Sequence, residues 1–166
     1  MAEGKLLFVV TEDWFFASHF LPMARAAREM GLDVVVVARE RAHRAAIEGT
    51  GARLVALEAE RKSLSPKLIW RQVAALVAIM KRERPDIVHC IALRSIALGG
   101  LAARIAGIEG RVLALTGLGF LGANRGLAGE MARLVVRFGM RQALDGPRTR
   151  FLFENTDDPA MLGLDP

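Results

Sequence analysis

Hydrophobic and polar residues follow two different patterns along the chain. Short apolar runs, several of them rich in β-branched residues, predict strands that are buried on both faces. Longer segments with apolar residues at helical spacing lie between most of these runs. The alternation predicts an α/β fold with a doubly wound, mainly parallel Rossmann-like sheet of about six strands and helices on both faces. The predicted strands are residues 5–10, 34–38, 51–57, 86–90, 111–115 and 150–153.

The first strand, a helix and the second strand form the opening unit of this sheet. Residues 11–19 are predicted to be a loop, and Ser18 is predicted to cap the following helix. Pro22 then falls in the first helical turn, where its absent N–H costs little, and Gly31 ends the helix. Parallel sheets bind ligands at the carboxyl ends of their strands, so the functional candidates begin in this loop.

The loop over residues 11–19 contains no glycine, unlike the phosphate-binding loops of dinucleotide and P-loop proteins. Instead it carries Glu12, Asp13, the aromatic residues 14–16 and His19. Aromatic and carboxylate side chains suit a polyol or a lipid-linked sugar better than a bare pyrophosphate. Asp13 could accept a hydroxyl proton or cap a helix, and His19 could meet a hydroxyl or a phosphate. The aromatic residues could instead pack on a neighbouring loop or on a further domain.

A second candidate loop follows the fifth predicted strand. Residues 117–122 match G-x-G-x-x-G, but residues 123–126 separate the third glycine from the helix. The nearest acid at a strand end, Glu154, follows about 30 residues later rather than about 20. The spacing therefore favours a flexible substrate loop over a nicotinamide or flavin site, with a structural turn as the alternative. Arg94, just past the fourth strand, could hold a phosphate or carboxylate.

Composition and charge narrow the choices. The 166 residues fit a single domain over 1–166, and no apolar run reaches the roughly 18 residues of a membrane span. No signal-peptide pattern opens the chain. The single cysteine, Cys90, excludes an internal disulfide, fits a reducing compartment and is predicted to be a small buried hydrophobe.

The net charge of +5 is unevenly distributed. Residues 91–150 carry nine arginines and three acids, whereas residues 151–166 carry four acids and no base. No lysine-rich run or aromatic RNA-binding motif accompanies the basic part, so we expect no nucleic-acid partner. Arg133, Arg137 and Arg141 recur every fourth residue and form a basic stripe on one helix. The stripe is either a solvated face or a contact with anionic lipid headgroups.

Four segments, spread over nearly the whole chain, resemble the N-terminal domain of retaining, GT-B-fold glycosyltransferases of family 4. The opening segment is the most specific and resembles enzymes that glycosylate lipid-linked precursors of surface polysaccharides. The segments are Thr-Glu-Asp-Trp-Phe-Phe-Ala-Ser-His at 11–19, Arg-Pro-Asp-Ile-Val-His at 84–89, Thr-Gly-Leu-Gly at 116–119 and Phe-Glu-Asn-Thr-Asp-Asp at 153–158.

The resemblance implies a two-domain enzyme whose N-terminal half holds the acceptor and whose second half, absent here, holds a nucleotide-sugar donor. This half alone is expected to be inactive, to need no cofactor or metal, and to work in the cytoplasm, peripheral to the inner membrane. Its partners would be a sugar or lipid-linked sugar acceptor and the absent domain.

The resemblance also implies a set of site residues. Many relatives carry a second histidine near the reacting sugar where this chain has Ile91, and His89 is not expected to replace it. The expected residues are Asp13 and His19 as catalytic candidates, Glu12, Trp14, Arg94, Thr116, Gly117 and Gly119 for acceptor binding, and Arg133, Arg137 and Arg141 facing the membrane.

Two alternatives stay open on the sequence. The chain could be a stand-alone binding module that pairs with a separately encoded catalytic subunit. It could also be an oxidoreductase domain that binds a nucleotide cofactor through Gly117-Leu118-Gly119.

Overall fold

The computed structural model of the protein describes residues 4–57, 65–116, 130, 134, 136–139, 144, 146–154 and 159. Six parallel strands form one sheet in the order β3-β2-β1-β4-β5-β6. The strands are β1 (Gly4–Glu12), β2 (Leu32–Arg39), β3 (Arg53–Ala56), β4 (Ile87–Ile91), β5 (Gly110–Leu115) and β6 (Thr149–Phe153). The helices that lie wholly within the described residues are α1 (Asp13–His19), α2 (Leu21–Glu29), α3 (Arg44–Glu48), α4 (Pro66–Glu83) and α5 (Leu93–Ile105). The predicted fold class and all six predicted strands are confirmed.

The valines of β2 show why these runs form a two-sided sheet. Val34 and Val36 belong to one core cluster, with side chains of α1, α2 and α3. Val35 and Val37 belong to a second cluster on the opposite face, with side chains of α4 and α5. All four valines are fully buried, and each such burial contributes roughly 1.5–3 kcal/mol.

The order of the strands reverses next to β1. The chain runs outward from β1 to β2 and β3, then returns through α4 to place β4 on the other side of β1. The helices that follow β1 and the helix that follows β4 therefore leave on opposite faces of the sheet. This arrangement opens a crevice beyond the carboxyl ends of β1 and β4.

The predicted loop over residues 11–19 is wrong. The strand β1 extends to Glu12, and α1 begins at Asp13. Phe16 is fully buried, with its ring centroid 5.2 Å from that of Phe8. The helical turn directly after the strand brings the Phe16 ring into this contact. Ser18 is not a cap, because its hydroxyl donates to the Trp14 carbonyl oxygen within α1 at 2.7 Å.

Other predicted helix ends are confirmed. Pro22 lies in the first turn of α2, and Gly31 follows the end of α2 with a φ of +82°. Pro66 begins α4, which ends at Glu83, just before Pro85. Arg84 between them adopts a left-handed conformation with a φ of 50°, because a residue before proline is disfavoured in the right-handed helical region.

The glycines inside α5 let that helix lie close to the sheet, as predicted. A Cβ on Gly99 would lie 2.7 Å from the Cys90 sulfur and 3.2 Å from a Val9 methyl group. Cys90 is fully buried, as predicted, and burial raises the pKa of its thiol to about 12. The close approach of α5 places the first turn of that helix beside the carboxyl end of β1.

Asp13 joins the end of β1 to the segment after β2. Its carboxylate is 0% exposed, and Oδ2 accepts hydrogen bonds from the backbone N–H groups of Arg41 at 2.7 Å, Ala42 at 3.0 Å and His43 at 3.0 Å. Three donors converging on one charged oxygen hold the segment before α3 in place.

We predict that Asp13→Ala lowers the free energy of unfolding by about 2–4 kcal/mol, because three N–H groups lose their acceptor. Chemical denaturation followed by circular dichroism measures the change. The matched control is Asp33→Ala, which removes only a partly exposed ion pair with Lys5 and should cost less than about 1 kcal/mol. Equal destabilisation by the two variants would contradict the anchoring role.

Candidate functional site

A small cavity lies at the carboxyl end of β1, where the strand order reverses. Its volume of about 30 Å³ is enough for a water molecule or a small polar group. The lining combines the ends of strands with α4 on one side and the first turns of α5 on the other. The lining residues are Val9, Val10, Thr11, Arg39, Leu57, Gln72, Leu76, Arg94, Ser95 and Leu98.

Two guanidinium groups line this cavity. Arg39, the last residue of β2, has a side chain that is 26% exposed, and its Nη1 lies 3.5 Å from Glu12 Oε1. The Arg39 Nε is buried and has no hydrogen-bond partner. Arg94, in the first turn of α5, donates to Gln72 Oε1 at 3.1 Å. The described lining of the cavity therefore includes two guanidinium groups among mainly apolar side chains, and the Glu12 carboxylate lies near Arg39.

A strained residue connects β4 to the arginine-bearing turn of α5. Ala92 has a φ of 70° and a ψ of 155°, a combination that is essentially restricted to glycine. Its N–H donates to the Ala114 carbonyl oxygen on β5 at 2.9 Å. Such a conformation costs about 1–3 kcal/mol and is found where the surrounding structure fixes a functional turn. Here it sets the start of α5, and with it Arg94 and Ser95, beside the cavity.

The residues predicted from the first segment separate into two groups. Glu12 is buried and contacts Arg39, so it belongs beside the cavity. Trp14 is 43% exposed and His19 is also exposed, and neither lines the cavity. The His19 Nδ1 lies 3.1 Å from the Phe15 carbonyl oxygen, at the end of α1. Of the aromatic residues predicted to form a binding surface, mainly Trp14 is exposed.

The contacts of Asp13 give it a structural role. Besides the three backbone donors to Oδ2, its Oδ1 lies 3.6 Å from the Nδ1 of His43, and neither atom has a hydrogen bond. These contacts are not a helix cap, the alternative left open by the sequence, because residues 41–43 precede the first residue of α3. The catalytic assignment of Asp13 stays a prediction.

The glycine-rich loop and most of the basic stripe lie outside the described residues. Thr116, at the end of β5, is half-buried and does not line the cavity. Gly117, Gly119, Arg133 and Arg141 fall outside the described part, and their assignments stay predictions.

Arg137 is the member of the basic stripe that the structure describes, and its side chain is exposed. Next to it in the sequence, Phe138 is 68% exposed, and Leu134, one helical turn earlier, is 58% exposed. None of the described helices has the length and apolar content that crossing a membrane requires.

His89 is buried on β4, away from the cavity lining. Its ring lies 5.1 Å from that of Phe8, its Nε2 has no hydrogen-bond partner, and burial lowers its pKa to about 4. The imidazole is therefore neutral at physiological pH. Ile91, two residues later, is fully buried. The expectation that His89 does not take over the role of the histidine that Ile91 replaces stays a prediction.

Arg39 and Gln72 were not predicted as site residues. Arg39 follows directly on the buried valines of β2, so the carboxyl-end rule that identified Arg94 also applies to it. Gln72 is a buried polar side chain within the apolar face of α4. The sequence signal for Gln72 was a polar residue at a position of α4 where the helical spacing predicts a core residue.

Among curated proteins, the chain is similar to a Campylobacter jejuni enzyme, N,N'-diacetylbacillosaminyl-diphospho-undecaprenol alpha-1,3-N-acetylgalactosaminyltransferase. The two are 25% identical over 119 residues, which cover 71% of this chain and 32% of the relative. The chain thus spans about a third of the length of this relative.

Similar solved structures share the fold at low identity. A Listeria monocytogenes protein described as a UDP-N-acetylglucosamine 2-epimerase has a TM-score of 0.65 at 17% identity, over 100% of this chain and 44% of that one. A Rickettsia africae glycosyltransferase has a TM-score of 0.57 at 14% identity, over 96% and 46%. MurG from Acinetobacter baumannii has a TM-score of 0.56 at 17% identity, over 68% and 35%.

The model of the family described as glycosyl transferase 4-like matches residues 5–144, most of the chain. This match confirms the resemblance found in the sequence. The chain belongs to the glycosyl transferase 4-like family.

Proposed function

We propose that this chain is the acceptor-binding half of a glycosyltransferase. The enzyme would move a sugar from a nucleotide-sugar donor to a lipid-linked or polysaccharide-precursor acceptor. The observation that carries the proposal is the cavity at the carboxyl end of β1, beside the point where strand order reverses, with Arg39 and Arg94 in its lining. The name of the Campylobacter jejuni relative, which gives a diphospho-undecaprenol-linked sugar as acceptor, supports the same substrate class.

In this proposal, residues 1–166 form one domain, and a second Rossmann-like domain supplies the donor. The extent of the relatives supports this, because the aligned part of the chain covers only 32% of the Campylobacter jejuni enzyme. The crevice at the carboxyl ends would face the second domain and close around both substrates. Without that domain, the chain would hold acceptor but transfer nothing.

The chemistry would be substitution at the anomeric carbon of the donor. The acceptor hydroxyl forms the new glycosidic bond, the nucleoside diphosphate leaves, and the hydroxyl proton must be accepted. This half contributes chiefly by fixing the acceptor at the correct distance and angle. His19 and Trp14, exposed on α1, would contact the acceptor sugar, with Thr116, Gly117 and Gly119 as further acceptor-binding residues. Arg94 would hold a charged part of the acceptor.

A membrane-peripheral location on the cytoplasmic side is part of the proposal. Leu134 and Phe138 are exposed one helical turn apart, and the exposed Arg137 lies next to Phe138. Apolar side chains beside arginines are typical of helices that lie at an anionic membrane surface. Arg133 and Arg141 would extend the same basic stripe.

The test of the proposed function is transfer by the two-domain protein, with nucleotide sugars as donors and a polyprenyl-diphospho-sugar as acceptor. His19→Ala should lower kcat/KM by about 100-fold or more while the circular dichroism spectrum is unchanged. The matched control is Ser18→Ala, the exposed neighbour whose hydroxyl bonds only within α1. Near-normal turnover by His19→Ala would remove His19 from the site, and no transfer across a donor panel would contradict the proposed function.

The membrane contact has its own test. Changing Arg133, Arg137 and Arg141 together to glutamate should weaken binding to anionic phospholipid vesicles by roughly tenfold or more, because each basic residue near the surface contributes about 1 kcal/mol. Vesicle sedimentation measures the binding. The control changes the exposed Arg25, Arg71 and Lys81 to glutamate, which alters net charge equally. Equal losses in both variants would mean that net charge alone, and not this helix, governs binding.

A further inference from the structure

The ion pairs that Arg44 and Arg53 form are shorter than the pair of Arg39 with Glu12. Arg44 contacts Glu40 and Glu48, each at 2.6 Å. Arg53 donates to Glu83, and this contact is the main cause that lowers the pKa of the Glu83 carboxyl to about 2. By contrast, Glu12 lies 3.5 Å from the Arg39 Nη1, at the limit of a hydrogen bond, and the Arg39 Nε has no partner. Among the described residues, the buried Arg39 Nε–H thus has no acceptor, and the Nη1 contact with Glu12 is long.

The second arginine lies at a favourable place for an anion. Arg94 and Ser95 are the second and third residues of α5, a helix of 13 residues whose N-terminus has no side-chain cap. The helix dipole and its first N–H groups favour negative charge at this end. Arg94 and Ser95 line the same cavity as Arg39, and no carboxylate is among the described lining residues.

The cavity offers room for a small charged group. Its volume of about 30 Å³ accommodates the oxygens of a phosphate or a carboxylate. In the complex that we infer, the charged group reaches into the cavity, and the sugar lies outside it, towards the exposed end of α1. The guanidinium fork is the side chain best suited to bind such planar or tetrahedral oxyanions.

We infer that Arg39 and Arg94 form an anion subsite, which selects acceptors that carry a phosphate or carboxylate group close to the acceptor sugar. Glu12 positions the Arg39 guanidinium and competes with the incoming anion for it. This inference rests on the proposed function, since it names the acceptor class of the same site. Two sources of the anion are possible, the diphosphate of a lipid-linked sugar and the carboxylate of an acidic sugar.

The first experiment measures binding without any transfer reaction. The arginine Nε–Hε resonances of the 166-residue chain are followed by NMR during titration with inorganic pyrophosphate, glucuronate and, as the uncharged control, glucose. Saturable shifts of the Arg39 and Arg94 resonances with an anion, and none with glucose, are expected. The anion that binds more tightly identifies phosphate or carboxylate as the ligand group. Shifts no larger than those of the exposed Arg25 would overturn the inference.

The second experiment measures acceptor selectivity in the two-domain protein. Arg39→Gln and Arg94→Gln should each raise KM for a polyprenyl-diphospho-sugar or a glucuronide acceptor by roughly tenfold or more, the loss of one charge-assisted hydrogen bond. KM for an octyl glycoside without charge should change less than threefold. Arg25→Gln is the matched control. Should Arg39→Gln fail to fold, Arg39→Lys keeps the charge but not the fork, and should raise KM in the same direction.

Glu12→Gln tests the competition directly and should lower KM for the charged acceptor, because Arg39 loses its competing carboxylate. A rise in KM as large as that of Arg39→Gln would instead show that the pair acts only structurally. The two proposals fail differently. Transfer that proceeds with no effect of either arginine variant overturns the subsite alone. Saturable anion binding at Arg39 and Arg94 without transfer to any acceptor overturns the glycosyltransferase function alone.

Discussion

The reversal of strand order beside β1 is the constraint on which the rest of this structure depends. Six parallel strands, buried on both faces, require helices on both faces. Because β2 and β4 flank β1, the connections from β1 and β4 diverge to opposite faces of the sheet. The cavity lies at the carboxyl end of β1 on the face that carries α4 and α5, and residues from β1, β2, α4 and α5 meet in it.

Two local structures fix the chain segments that border this crevice, the Asp13 hydrogen bonds and the Ala92 backbone conformation. On one side, Asp13 gathers three N–H groups from residues 41–43 and so fixes the chain just after Arg39. On the other side, Ala92 adopts a conformation that suits glycine and starts α5 where Arg94 reaches the cavity. Both structures fix segments that follow strands, whereas the glycines of α5 allow that helix to pack closely against β1 and β4. The two arginines are thus positioned by the backbone on both sides of the crevice.

The sequence predicted the sheet well because each strand is a local apolar run that needs no knowledge of its neighbours. The sequence did not predict α1, because seven residues are too few to show a helical period. The contact between Phe16 and Phe8, which helps to stabilise this helix, is not visible in the local sequence. The Asp13 contacts reach residues 28 to 30 positions away, so no local pattern reveals them. Arg94 was predicted from its position after a strand, but its association with Arg39 depends on the strand order.

The most direct measurement is a crystal structure of this chain, together with the second domain that we propose, bound to a polyprenyl-diphospho-sugar analogue. We expect phosphate oxygens within about 3.2 Å of guanidinium nitrogens of Arg39 and Arg94, with the sugar ring outside the cavity towards the exposed end of α1. An acceptor bound away from the carboxyl ends of β1 and β4, with both arginines still turned to Glu12 and Gln72, would contradict a functional crevice at this point of the sheet.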